Sequence, residues 1–372
     1  MFKGYLSLTR IQKIFLAAWA ILILVGGILA QGALTRMETR NLEASILKHQ
    51  ARIDPNVTES GKTEPERTPP PGHEADIPVD VGIGVYVDRV PALTMRDSFW
   101  TADFYIWFTW QGEDLHPGET FQIVNGEILS RTKLKEKVDD AGRHYALYRV
   151  VARTTKVFDT TRFPRDDHLL TIMIEDNALQ SYQLRYVSDD ANSDISSRVS
   201  VPGYKVYQTS SVVKPHSYKT TRGDPDLPAD YKATYSQYIY GIWIARPTWG
   251  LHMKMFLTLY AAILISMIGF FTTPSHRFGL VIGSFFAAVA NTYITSSIVP
   301  ETGIATLADV INGIGVATIA IIMFQTIISQ HFYDKMKQEV FSDIFDDLTF
   351  ALLIVVYVWL NISIPLAASL AL

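Results

Sequence analysis

The chain of 372 residues contains no cysteine, which excludes disulfide bonds, thiolate nucleophiles and zinc–thiolate sites. Charged residues are also scarce, because Asp, Glu, Lys and Arg together make up only 19% of the sequence. The formal net charge is −4, and a slightly negative chain has no general attraction to nucleic acid. We therefore expect no nucleic-acid partner.

The patterns from which catalytic and metal sites are usually recognised are missing as well. The sequence shows no Ser–His–Asp spacing, no cluster of metal ligands and no phosphate-binding loop. Its histidines in the middle of the chain are dispersed: His73, His116, His144, His168 and His216. We predict that the protein is not an enzyme and that it needs neither a metal nor another cofactor.

Apolar residues, in contrast, are abundant. Hydrophobic residues make up 48% of the chain, aromatic residues make up 12%, and the mean hydropathy is +0.13. A soluble protein is usually less apolar, and a transporter without a water-facing domain is usually more apolar. The composition predicts a water-facing domain joined to a membrane domain.

The N-terminal segment, residues 1–33, is predicted to be a signal anchor or a signal peptide. Lys3, Arg10 and Lys13 precede an apolar run from Ile14 to Leu29. Positive charge before a first apolar segment keeps that end in the cytoplasm and sends the following residues outward. The run is long for a signal peptide, which favours the anchor, although both readings stay open.

Residues 34–76 are predicted to form a stalk followed by a flexible linker. Residues 34–50 have the composition of a polar helix with scattered apolar residues. Residues 51–76 contain the run TEPERTPPPGHE, which favours an extended chain because it cannot pack a hydrophobic core.

Residues 77–246 show the alternation that is typical of β-strands. SFWTADFYIWFTW alternates aromatic with small or polar residues, and HLLTIMIED and SQYIYGIWIA continue at period two. Turn residues separate many short strands at roughly regular spacing. This pattern predicts an all-β sandwich, immunoglobulin-like in class, that lies outside the membrane.

Residues 247–372 are predicted to be a transmembrane domain with four helices. The spans are expected at about 252–271, 278–298, 304–329 and 348–370. The first short loop, TTPSHR, carries His276 and Arg277 and no acid, which suits the cytoplasm. With the β domain outside, we expect a multi-pass protein of the plasma (bacterial inner) membrane whose β domain lies in the periplasm.

The second span is unusually polar for a helix that only faces lipid. Its polar residues are Ser284, Asn291, Thr292, Thr295, Ser296 and Ser297. Small and polar residues in membrane helices face either other helices or a water-filled cavity. The span therefore serves either for helix–helix contact or for lining a pore.

A resemblance to a known family begins at FDTTRFPRDDHLL, residues 158–170. Asp159 followed by Phe163-Pro164-Arg165-Asp166 resembles the Cys-loop of the pentameric ligand-gated ion channels, or Cys-loop receptor superfamily. Lys156 and Leu170 stand where the two cysteines would be. The chain therefore resembles the prokaryotic members, which commonly lack those cysteines.

Further motifs of that family follow in the expected order, and together they cover residues 77–370. WFTWQGEDL, residues 107–115, resembles the end of the second strand of the family, and Arg246-Pro247 resembles its junction with the first span. Arg277-Phe278-Gly279-Leu280 resembles the start of the second span. Pro300, Thr306 and Asp309 resemble the linker into the third span.

The resemblance implies a homopentamer whose second spans surround one pore, so that each pore-facing residue forms a ring of five. The implied pore-lining residues are Gly279, Gly283, Phe286, Ala290, Tyr293 and Ser297. Phe286 would be an apolar gate at the midpoint and Tyr293 an outer constriction. The implied partners are permeant inorganic ions, membrane lipid, further copies of the chain, and a small-molecule agonist or protons.

The resemblance also implies where gating and agonist binding take place. The expected gating interface comprises Asp159, Phe163, Pro164, Asp166, Arg246, Pro300, Thr306 and Asp309. The candidate ligand-binding residues, in a site between subunits, are Tyr105, Trp107, Asp176, Asn177, Tyr182, Tyr231 and Tyr235. Aromatic side chains with an acid suit an amine.

Several alternatives stay open. A second stripe of the same span, Ser284, Ala288, Asn291 and Thr295, is the more polar one, and we interpret it as contact with neighbouring helices. Cation and anion selectivity both remain possible, because His276 stands where cation-selective members usually have a glutamate, whereas an outer ring of Glu301 could favour cations. The alternative function is a non-conducting membrane receptor or scaffold of the same architecture.

Overall fold

The computed structural model describes residues 8–57, 68–221, 223, 225, 227–228, 230–246, 249–299 and 303–370. These residues form two compact units. The helical unit contains the described residues of Met1–Ala44, Asp159–Asp166 and Thr248–Ala371. The sheet unit contains those of Ser45–Phe158 and Asp167–Pro247.

The strands of the sheet unit run in chain order as β1 (Val79–Thr94), β2 (Phe99–Gln111), β3 (Phe121–Ile123), β4 (Gly126–Val138), β5 (Arg143–Thr155), β6 (Asp167–Asp176), β7 (Leu184–Ser188), β8 (Asp194–Ile195), β9 (Lys205–Ser217) and β10 (Thr234–Ala245). One sheet has the order β4-β5-β2-β1-β7, with β8 also paired to β1. The other has the order β3-β6-β10-β9. The pairs β1–β7 and β1–β8 are parallel, and the other strand pairs are antiparallel.

The two sheets share one hydrophobic core, which gives the region a β-sandwich-like architecture. Strand β2 shows how the sequence encodes it, because Trp100, Phe104 and Phe108 are each 0% exposed and lie on the same face of the strand. Strands β6 and β10 contribute Ile172 and Tyr240 to the same core. The predicted all-β region is therefore present as two sheets packed through their apolar faces.

The second sheet is covered on its other face too, since every residue of β6 and β10 is buried. The last residues of the N-terminal helix α1 (Arg10–Ile53) provide part of this cover. Ile53 packs against a small cluster around Met173 and Ile239, and the His49 ring lies 5.5 Å from the Trp243 ring. Two-sided burial explains why the exposure of these strands does not alternate as their sequence pattern suggested.

Helix α1 covers the residues that were predicted to form the anchor, the stalk and the first residues of the linker. It is continuous over 44 residues, from Arg10 to Ile53, without a break near residue 33. Residues 51–53 are helical rather than extended, and the helix ends where Asp54-Pro55 follows. Residues 58–67 of the predicted linker lie outside the described residues.

The short helix α2 (Pro117–Thr120) belongs to the sheet unit. The helical unit contains four further long helices: α3 (Gly250–Ile268), α4 (Pro274–Ser296), α5 (Leu307–Gln330) and α6 (Glu339–Ala367). A 3-10 turn, Gly269–Phe271, follows α3, and a π-helical turn, His331–Lys335, follows α5. Helix α6 begins nine residues before the predicted span at 348, because hydropathy detects only its apolar part and not its acidic first turns.

Among the described residues, five helices are long and apolar enough to cross a membrane. They comprise α1, α3 with its 3-10 turn, α4, α5 with its π turn, and α6. These helices fit a multi-pass membrane protein, and they include the expected apolar helix at the N-terminus.

A buried carboxylate joins three strands of the first sheet. Asp103 on β2 is 2% exposed and accepts hydrogen bonds from Arg149 Nε at 3.0 Å and Arg149 Nη2 at 2.9 Å. It also accepts a hydrogen bond from Arg89 Nε on β1 at 3.1 Å. These contacts, led by the one with Arg149, lower the pKa of Asp103.

We expect Asp103→Asn to reduce the free energy of unfolding by about 1–2 kcal/mol at pH 7, since both guanidinium partners are partly exposed. The lowered folded-state pKa means that the carboxylate stabilises the fold above its unfolded pKa of about 3.9. This stabilisation is lost as the pH falls through the folded value. Unfolding curves of purified protein at pH 7 and pH 3 should therefore differ from wild type mainly at pH 7. Asp114→Asn, in an exposed turn, is the control.

Candidate functional site

Helix α4 has two faces of different character. Its buried residues are Pro274, Arg277, Val281, Ser284, Ala288, Asn291 and Thr295. The opposite stripe consists of the predicted pore-lining residues Gly279, Gly283, Phe286, Ala290, Tyr293 and Ser297, and each of them is exposed in the single chain. Phe286 is 67% exposed and Tyr293 is 80% exposed. Both aromatic side chains therefore lie on a face that the described residues of this chain do not cover.

The more polar stripe of α4 is used for contact with α5. Asn291 Nδ2 donates to Asn312 Oδ1 at 2.9 Å, and Asn312 Nδ2 donates to Thr295 Oγ1 at 2.7 Å. Interhelical hydrogen bonds of this kind hold membrane helices together where little hydrophobic driving force is available. The polar groups of this stripe are thus directed into the helical unit.

The first turn of α4 is held by a buried arginine. Arg277 is 0% exposed, and its guanidinium forms a bidentate ion pair with Asp346 on α6, with Nη1 3.0 Å from Oδ1. Nη1 also donates to Gln325 Oε1 on α5 at 3.1 Å, and Nε donates to the Gly269 carbonyl at 3.0 Å. One side chain therefore connects α4 with both α5 and α6.

The segment Asp159–Asp166, which carries the resemblance to the Cys-loop, belongs to the helical unit. It contacts the start of α5 through two backbone hydrogen bonds. Leu307 N donates to the Thr161 carbonyl at 2.8 Å, and Ala308 N donates to the Phe163 carbonyl at 3.0 Å. Within the segment, the Phe163–Pro164 peptide bond is cis.

The two arginines of this segment contact other helix ends. Arg162 Nη1 donates to the Ala368 carbonyl at 2.9 Å, just after α6. Arg165 Nε donates to Ser369 Oγ at 2.7 Å, and its guanidinium lies 4.9 Å from the centre of the Trp249 ring, just before α3. One short segment thus contacts the beginnings of α3 and α5 and the end of α6.

The remaining residues of the expected gating interface have varied surroundings. Thr306 and Asp309 form a capping box at the start of α5, with Asp309 N donating to Thr306 Oγ1 at 3.2 Å and Thr306 N donating to Asp309 Oδ2 at 2.8 Å. Asp166 is buried. Arg246 is in the sheet unit and donates to Tyr204 Oη at 2.7 Å. Pro300 lies outside the described residues.

Three of the predicted ligand-binding residues, Tyr182, Tyr231 and Tyr235, are neighbours in the sheet unit. Tyr231 and Tyr235 are buried in a cluster with Tyr218. Burial, together with the neighbouring Tyr182 and Tyr235, raises the pKa of Tyr231 to about 12. The Tyr231 hydroxyl donates to the Thr68 carbonyl at 2.8 Å.

The other predicted ligand-binding residues are not part of this cluster. Tyr105 and Trp107 are on β2 in the opposite sheet, where Trp107 Nε1 donates to Asp189 Oδ2 at 3.0 Å. The Asp176 carboxylate holds its own turn, because Oδ1 accepts from the backbone N–H groups of residues 178 and 179 at 2.9 and 2.8 Å. Asn177 is exposed and directly follows β6.

A buried acid beside the tyrosine cluster is missing from the predicted site. Glu175 is 0% exposed, and its carboxylate accepts hydrogen bonds from Gln237 Nε2 at 2.6 Å and Tyr218 Oη at 2.9 Å. His216 Nδ1 lies 2.5 Å from Glu175 Oε1. These four side chains come from β6, β9, β10 and the residue after β9, so only the strand register brings them together.

Comparisons with known proteins do not identify the chain. A scan against models of known protein families finds no match, and a search of curated proteins finds none either. In the part of the chain that the structure describes, no group of three or more His, Cys, Asp and Glu side chains is arranged to hold a metal ion.

We expect Asp346→Asn to destabilise the helical unit by about 3–5 kcal/mol, because it leaves the buried Arg277 guanidinium without its counter-charge. Thermal unfolding of the purified protein in mild detergent should show a clearly lower Tm. Asp347→Asn is the matched control, since Asp347 is exposed on the next position of the same helix. An unchanged Tm in Asp346→Asn would contradict the importance of this ion pair.

Proposed function

We propose that the protein is a homopentameric ligand-gated ion channel, in which agonist or proton binding to the β domain opens a pore lined by α4. The observation that carries this proposal is the division of α4 into two faces. The stripe implied by the family resemblance is uncovered over the length of the helix, while the opposite stripe is packed against the chain's own helices. Five copies around an axis would turn each uncovered residue into a ring.

The chemistry of the uncovered stripe suits a gated pore. A ring of Phe286 side chains would form an apolar constriction, and such constrictions close pores by excluding water. Gly279 and Gly283 would leave the pore wide on one side of this ring, and Tyr293 would narrow it on the other. Hydrophobic gating thus requires no charged residue on this stripe.

We further assign α3 to α6 as a four-helix transmembrane bundle and the two sheets as an immunoglobulin-like extracellular domain. The expected location is the bacterial inner membrane, with the sheets in the periplasm. Support comes from the order of the family-like motifs and from the basic residues that precede the first apolar run.

Coupling between agonist and pore is assigned to the segment Asp159–Asp166. Gating requires that the agonist bind one conformational state of the protein better than another. Some element must therefore couple the conformation of the agonist site to that of the helices. This segment contacts ends of α3, α5 and α6. Its carbonyl groups accept hydrogen bonds from the backbone N–H groups of Leu307 and Ala308, the first two residues of α5. A shift of this segment would therefore bear on three helices at once.

The agonist site is assigned to the cluster of Tyr182, Tyr231 and Tyr235, with Glu175 buried beside it. Aromatic rings near a carboxylate suit a cationic amine, and His216 Nδ1 lies 2.5 Å from the buried Glu175 Oε1. Because the resemblance places the site between subunits, Tyr105 and Trp107 on the opposite sheet would come from the neighbouring copy.

The test is current across a planar bilayer that contains the purified protein in a salt gradient, while pH and added amines are varied. Native mass spectrometry should first show a particle of five 41.8 kDa chains. We expect single-channel steps, whose reversal potential gives the sign of the permeant ion. Monomeric or dimeric protein in mild detergent would count against the proposal.

We expect Phe286→Ala to leak or to open more readily, because it removes the apolar ring at the midpoint of the pore. Phe285→Ala is the matched control, since this neighbouring ring, 6.1 Å from that of Phe286, points away from the uncovered stripe. Equal currents in the two variants would exclude Phe286 as the gate. If pentameric Phe286→Ala protein stays silent, the non-conducting receptor becomes the better reading.

A further inference from the structure

An apolar cavity of about 490 Å³ lies within the helical unit, between α1, α5 and α6. Its walls include Ile23 and Gly26 on α1, Ala317 on α5, and Leu360 on α6. The volume falls within the range of about 300–1,000 Å³ that ligand pockets usually have. The predicted pore and the segment Asp159–Asp166 do not line it.

Specific contacts hold α1 beside this cavity. Trp19 Nε1 donates to Thr349 Oγ1 on α6 at 3.0 Å, and both side chains are buried. The Phe15 ring lies 5.5 Å from the Phe345 ring. At Gly27, a Cβ atom would come within 2.7 Å of Val356 Cγ1, so α1 and α6 cross closely there. The cavity is thus a defined gap beside a well-packed crossing.

Small residues create the gap. A Cβ atom added at Gly26 would meet no atom within 4 Å, although this residue lines the cavity. Ala30, Ala317 and Ala320 leave further space around it. Side chains beside an unfilled gap lose dispersion contacts, so filling this gap would stabilise the contact of α1 with α5.

The lining of the cavity is predominantly apolar. Among the described residues, no charged side chain lines the cavity. Trp19 Nε1 is bonded to Thr349, and Thr318 Oγ1 donates to the Ile314 carbonyl at 2.7 Å. The Tyr357 hydroxyl oxygen is buried without a hydrogen-bond partner among the described residues, and almost none of its surface is accessible from the cavity. Apolar cavities of this kind stay free of water, and their lack of charge matches an uncharged hydrocarbon.

The position of the cavity along the helices indicates which hydrocarbon is available. Its lining residues come from 19–30 of α1, 314–324 of α5 and 353–360 of α6. These ranges lie well inside the three membrane-crossing helices, and therefore at the depth of the hydrocarbon core rather than of the headgroups. Leu22 and Phe324 at the edge are exposed, so the cavity is open toward the side.

We propose that this cavity binds one acyl chain of a membrane phospholipid. The chain enters from the side, past Leu22 and Phe324, while its headgroup stays at the membrane surface. Bound there, it fills the space that Gly26 and Ala317 leave open and joins α1 to α5. This site does not depend on whether the protein conducts ions.

The experiment uses the full-length protein in vesicles of phosphatidylethanolamine and phosphatidylglycerol. The vesicles contain a trace of phospholipid with a diazirine in the middle of one acyl chain. After irradiation, mass spectrometry of peptides locates the label. We expect preferential labelling within 19–30, 314–324 and 353–360. Gly26→Phe should lose most of that label, whereas Gly32→Phe should keep it, because Gly32 has room for a side chain and does not line the cavity.

A second variant fills the cavity from the opposite wall. Ala317→Phe should lose the label as Gly26→Phe does, which keeps the test informative if one variant fails to fold. Uniform labelling of all apolar helices, or equal labelling in Gly26→Phe and Gly32→Phe, would overturn the proposal. Labelling of these segments by a diazirine on the headgroup instead of the acyl chain would also overturn the proposal. So would the absence of label from the tail probe, as expected if a neighbouring copy covers the cavity.

Discussion

The ion pair between Arg277 and Asp346 is the interaction on which the arrangement of the helical unit depends. Burying a lone guanidinium costs several kcal/mol, and the first turn of α4 carries no acid to offset it. The compensating carboxylate must come from α6, and Gln325 of α5 completes the contact. Because successive helix residues are about 100° apart, fixing the direction of Arg277 also fixes which stripe of α4 remains uncovered.

The orientation of α4 about its axis, which Arg277 fixes, also determines which polar residues of α4 are buried. Asn291 and Thr295 lie on the Arg277 side and bond to Asn312, so their polarity serves the packing of α4 against α5. The uncovered side carries glycine, aromatic and serine residues together with exposed aliphatic residues such as Leu280, Val289 and Ile294. Polarity alone would have predicted that the stripe with Asn291 and Thr295 is the uncovered one, since a single helix sequence does not show which of its faces meets another helix.

Local patterns could be predicted from the sequence, whereas long-range pairings could not. Apolar runs located the helices that are long and apolar enough to cross a membrane, and the alternation in β2 located a sandwich strand, because both patterns arise within one element. The spacing of Thr306 and Asp309 likewise predicts a capping box at the start of a helix. The pairing of Arg277 with Asp346 joins residues 69 positions apart, and the contacts of Glu175 depend on strand register. Neither the Arg277–Asp346 pairing nor the contacts of Glu175 can be recognised from the pattern of a single segment of sequence.

The cover that α1 gives to the second sheet has a consequence for how the domain can be isolated. Residues 45–53 belong to the sheet unit although they lie far ahead of the first strand. Ser45 and His49 contact Asp167 at 3.4 and 3.1 Å, and Ile53 shields an apolar cluster. A fragment that starts at residue 77 would expose that cluster as an apolar patch, and such patches favour aggregation. A soluble fragment should therefore begin before Ser45, not at the first strand.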